Sequence, residues 1–73
     1  MNTANQALDA LRQARALIRF AHVETLAGAE HLSGARHARA LELADMLAAA
    51  LDHCARLSVC VQGDVRAEQA RLR

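Results

Sequence analysis

Not one proline interrupts these 73 residues, and the only strong turn signal in the first sixty is Ser33-Gly34. Proline would remove an amide donor and clash with the preceding turn; without it, long helices can run on either side of that signal. The residues between the breaks favour helix. The chain is 53% hydrophobic but 1% aromatic, so its apolar mass is mostly alanine and leucine, which lose little on entering a helix. No four-residue stretch alternates as a half-buried strand would. The expected fold is all-α: an antiparallel two-helix hairpin with a helix over about 4–32, a turn at 33–34, a second helix over about 35–61 and a tail over 62–73. Each main helix would be about 40 Å long at 1.5 Å rise per residue.

Local signals set the expected ends. Thr3-Ala4-Asn5-Gln6 fits a capping box in which Gln6 reaches back to the cap. Gly34 either takes the left-handed conformation that ends the first helix or follows Ser33 as the cap of the second. "QGD" at 62–64 offers a further break, with Gly63 ending one helix and Asp64 capping a last short one. The remaining "VRAEQARLR" has few apolar anchors and is expected to fray.

Helical spacing sorts the apolar residues into faces. On the first helix Ala4, Ala7, Leu11, Ala14, Ile18, Ala21, Thr25 and Leu32 form one stripe, with Leu8 and Ala29 beside it and Gly28 at its edge. On the second, Ala40, Leu43, Ala44, Leu47, Leu51, Cys54, Ser58 and Val61 match it. Alternating small and large residues lets the two backbones approach closely. A surplus remains. Ala16, Phe20, Val23 and Ala27, spaced four, three and four, point nearly opposite the first stripe. On the second helix Leu41, Ala48, Ala55 and Val59 widen the apolar arc on one side, and Met46 and Leu57 on the other. A hairpin hides one stripe per helix, not two. A core of this size is also marginal alone, since ordering each residue costs roughly 1.5 kcal/mol of entropy. A four-helix bundle of two copies is the first expectation for what covers the surplus and a separate protein partner for the Phe20 stripe the second; the sequence leaves open which stripe serves the dimer.

Chemistry-bearing residues are sparse. Cys54 and Cys60 lie six apart, which on a helix points them apart and beyond disulfide reach. His22, His31, His37 and His53 include no i, i+4 pair of the helical zinc type, and no Cys-x-x-Cys is present. His31, His37 and Glu30 could meet at the turn, but solvated turn histidines are the simpler reading. Cys54 falls on the expected seam and Cys60 has no assigned base, so no nucleophile is predicted and no enzyme is expected. No cofactor is called for. Asp52 and Arg56 form an i, i+4 pair.

Arg12, Arg15 and Arg19 make a ridge on one flank of the first helix, continued by His22. Arginine suits phosphate, and a dimer would double the ridge. Against this, the net charge is +1 and there is no tyrosine or tryptophan to stack on bases. The longest apolar run, "MLAAAL", falls far short of the roughly 20 residues that span a bilayer. "MNTANQALDALRQ" lacks the basic start and apolar segment of a signal peptide. A cytoplasmic protein without a membrane partner is expected.

In its alternating small and large core layers, residues 4–61 resemble the plasmid-encoded repressor-of-primer hairpin; that likeness implies a dimeric four-helix bundle that binds paired RNA. Leu32-Ser33-Gly34 followed by Arg36 and His37, with "LELADMLAAALDHC" after them, is similar to small bacterial two-helix proteins of unknown function; that likeness implies a helical hairpin and no activity. The functional expectation is a small non-catalytic regulator, adaptor or inhibitor that binds a larger protein through apolar helix faces. The alternative is an RNA-binding bundle that uses the arginine ridge.

Overall fold

The structure, a computed structural model, describes residues 3–72 and contains two helices: α1, Thr3–Ala29, and α2, Gly34–Arg71. Among the described residues there is no strand. The helices pack along their length as a hairpin of 59 × 15 × 11 Å. Its radius of gyration is 16.9 Å, against about 11 Å for a compact domain of this length.

The seam repeats every seven residues. On α2 the less exposed positions are His37, Ala40, Ala44, Leu47, Leu51 and Cys54, then Ser58, Val61, Val65 and Glu68, the three-four alternation of two helices in sustained contact, with Ala50 and Ala55 half-buried beside them. On α1 they are Ala4, Leu8, Leu11, Ile18, Thr25 and Ala29, with Ala14, Ala21 and His22 half-buried at the edges of the seam. Only Leu8, Ala29 and Ala44 are buried among the described residues. Two helices leave each other's outer sides bare, so most of the seam is only half-buried. Ser58 sits in the seam without cost, because its hydroxyl donates to the Cys54 carbonyl at 2.7 Å.

Three expectations about the seam and the helix ends are corrected. Ala7 and Leu43 are exposed flank rather than seam. The larger Leu8 takes the central place on α1, and the step from Ala4 to Leu8 to Leu11 moves Ala7 aside. Leu32 lies in the connection and is exposed too, because α1 ends at Ala29 rather than near residue 32. Finally, α2 does not break at 62–64 and leaves no separate tail, but runs unbroken to Arg71. A glycine inside a helix costs about 1 kcal/mol relative to alanine. Gly63 faces outward while Val61, Val65 and Glu68 keep the seam's spacing past it, so packing outweighs that cost.

The reversal occupies residues 30–33. Amide groups of His31 and Leu32 donate to the carbonyls of Gly28 and Ala29 at 3.0 and 3.1 Å, closing α1 with a tightened last turn. Ser33 is extended and stands at the N-cap of α2, but its side chain makes no capping bond. Gly34 has φ +61°, so the left-handed residue opens α2 instead of ending α1. The His37 ring then reaches back eight residues, its Nδ1–H donating to the Ala29 carbonyl at 2.8 Å. A carbonyl can only accept, which fixes the proton on that nitrogen. His37 is therefore a half-buried clasp between the helices and not a solvated turn residue.

Candidate partner-binding faces

The features outside the seam fall on three sides of the rod. Directly outward from α1 lie Ala16, Phe20, Val23 and Ala27, all exposed, with Phe20 67% accessible. Their spacing puts them on one side, because residues three and four apart are neighbours on a helix. Leu17 flanks the stripe and is exposed as well.

On the next side Arg12, Arg15 and Arg19 line one open groove with Ala16, of about 280 Å³. Arg12 is held by Asp9 at 3.5 Å in a largely exposed i, i+3 pair, an interaction worth only about a few tenths of a kcal/mol. Among the described residues neither Arg15 nor Arg19 has an ion pair. The Asp9 contact was not among the pairs expected from the sequence, although its spacing made it readable there. Asp52 and Arg56 do pair, at 3.1 Å.

The third side joins both helices. Near the open end of the hairpin a groove of about 360 Å³ is lined by Thr3, Ala4 and Ala7 from α1 and by Asp64, Ala67, Glu68 and Arg71 from α2. It shows which flank of α1 shares a face with which flank of α2. Sequence reading grouped Ala7 with the seam and so missed this joint face.

The reactive side chains do not assemble. Cys54 is half-buried and Cys60 exposed, both as free thiols. Among the described residues no group of three histidine, cysteine, aspartate or glutamate side chains gathers where it could hold a metal, so His31, His37 and Glu30 are not brought together as ligands. Among the described residues no helix is long and apolar enough to cross a membrane. The geometry offers surfaces for contact: an apolar stripe, an arginine groove and a two-helix flank. The chain matches no protein family, no curated protein and no solved structure.

Proposed function

We propose that this chain is a non-catalytic interaction module that pairs with itself as a four-helix bundle. In that form it acts on a larger protein as a regulator, adaptor or inhibitor. The carrying observation is the stripe Ala16, Phe20, Val23 and Ala27, whose largest member, Phe20, is 67% exposed on the side away from the seam. An amphipathic helix that offers anchors at this spacing is the form in which helices seat in grooves of other proteins. A single aromatic anchor surrounded by small residues also suits recognition, since a few buried aromatic side chains carry most of the energy of an interface. Cytoplasmic location belongs to the same proposal.

Affinity capture with the wild-type chain and with Phe20→Asp tests it. A protein held by the wild type through a high-salt wash and released by Phe20→Asp is the expected result. Identical captures by the two forms would sink the proposal.

The arginine groove favours a second reading, a dimeric RNA-binding bundle that grips phosphates with Arg12, Arg15 and Arg19. Salt separates the two. Phosphate contacts weaken steeply as salt rises, with a logarithmic slope of about −0.7 to −0.9 per phosphate neutralised, whereas apolar contacts hardly respond. If replacing all three arginines by alanine leaves retention of RNA unchanged, the second reading fails.

A further inference from the structure

We infer that a second copy of this chain covers one particular face of the hairpin, the face on which Ala7 of α1 and Asp64 of α2 meet, and that the Phe20 stripe stays outside that contact. The inference rests on the reading that the chain works through apolar helix faces, and it says which face serves self-association.

The face follows from one groove and one period. Ala7 and Asp64 line the same groove at the open end of the hairpin, and residues in a two-helix seam return to the same orientation every seven positions. Stepping from Ala7 along α1 gives Ala14, Ala21 and Gly28; stepping back from Asp64 along α2 gives Leu57, Ala50 and Leu43. Thr3 and Ala67 line the groove as well, and the same steps from them add Leu17 on α1 and Met46 on α2 in the next row outward.

Two properties separate this face from the rest. Over its middle, from Ala7 to Ala21 and from Leu43 to Cys60, these rows carry no carboxylate and no guanidinium. The opposite broad side has Arg12, Arg19, Asp45 and Asp52 at the same levels, whereas on this side the charged residues of the rows, Glu24, Arg36, Arg39 and Asp64, stand at the ends and His53 is the one imidazole between them, so its middle asks fewer charges to be desolvated. The second property is shape. The α1 half is a trough of alanines ending in Gly28, where nothing lies within 4 Å of the position a Cβ would take. The α2 half is a ridge, with Leu43 48% and Leu57 52% exposed. A two-fold axis running along the bundle sets each copy's ridge into the other's trough. Such a contact is self-complementary and closes on itself, as a symmetric dimer requires.

The exposed area is large enough for such a contact. A compact monomer of this mass exposes about 4400 Å², whereas this chain exposes 5670 Å². The surplus of roughly 1300 Å² exceeds the about 800 Å² per partner that a standard interface buries.

Light scattering on purified chains is the test. The wild type should scatter at twice its 7.9 kDa. Leu43→Glu combined with Leu57→Glu should weaken association at least about a hundredfold, because two carboxylates per copy would be buried unpaired. Phe20→Asp should leave the dimer mass unchanged. A monomeric wild type, a double variant that still dimerises, or a dissociated Phe20→Asp would each overturn the inference.

Because the double variant can unfold on dissociating, a second measurement uses near-native chains. In a Cys60→Ser background, a thiol placed by Leu57→Cys should be alkylated about tenfold more slowly once the protein is concentrated into the dimer, while one placed by Phe20→Cys keeps its rate. Equal slowing at both positions, or none at Leu57→Cys, counts against the face. Loss of a captured protein with Phe20→Asp is scored on a chain of known mass, so this inference and the partner proposal fail separately.

Discussion

Gly34 and Gly63 are the same residue in two opposite situations, and substitution separates them. Gly34 has φ +61°, a region that costs an L-residue roughly 1–2 kcal/mol. Nothing lies within 4 Å of its would-be Cβ, so Gly34→Ala should lose about that amount through the backbone alone. Gly63 stands in the exposed interior of α2, again with open space around the added carbon. Gly63→Ala should therefore gain about 1 kcal/mol of helix propensity. Urea unfolding of both variants at one protein concentration checks the pair, and shifts of the same sign would contradict this account. The His37 ring supplies a third case. His37→Ala gives up its bond to the Ala29 carbonyl and should cost about 1 kcal/mol. His31→Ala, which leaves that bond untouched, should cost little.

At the scale of elements, the informative segment is the last ten residues of α2. Asp64, Ala67, Glu68 and Arg71 share a groove with Thr3, Ala4 and Ala7, so each helix end supports the other. Truncating the chain after Gln62 should accelerate amide exchange in the first two turns of α1, and not only weaken the region next to the cut. Unchanged protection over residues 4–8 would mean that the end of α2 is an independent appendage. The same segment shows what the sequence could tell. Absence of proline, helical spacing and Ser33-Gly34 were enough to read two helices, their order and most of the seam. The continuity of α2 was also written there, in the steps from Ser58 to Val61, Val65 and Glu68, but a lone Gly-Asp pair outweighed them. Gly34 and Gly63 look alike as letters; they differ in whether the seam continues beyond them, which is a property of packing. The position of Ala7 on the flank was hidden for a related reason, since only the packed pair decides which of two adjacent alanine rows is central. The exposure of the Phe20 stripe was legible because it follows from spacing on one helix. What that stripe meets was not, because the complementary surface lies on another molecule.

For the whole molecule, the decisive quantity is how little the hairpin hides. Three buried side chains, Leu8, Ala29 and Ala44, are its complete interior among the described residues, and none is larger than leucine. Domains of this length ordinarily bury only about 60% of the surface their unfolded chains expose and are marginal even so; a rod of two helices falls below that. If folding and pairing are one event, stability must depend on protein concentration by mass action. Each tenfold rise in concentration should then add about 1.4 kcal/mol to the folded dimer and move the urea midpoint upward with an unchanged slope. Circular dichroism melts over a hundredfold range of concentration read this directly. A midpoint that stays fixed would show that the single hairpin folds alone, and self-association would then have no part in holding the helices together. A midpoint that climbs for the wild type and for Phe20→Asp alike would place the stabilising contact away from Phe20, leaving that side chain exposed in the folded dimer for another protein.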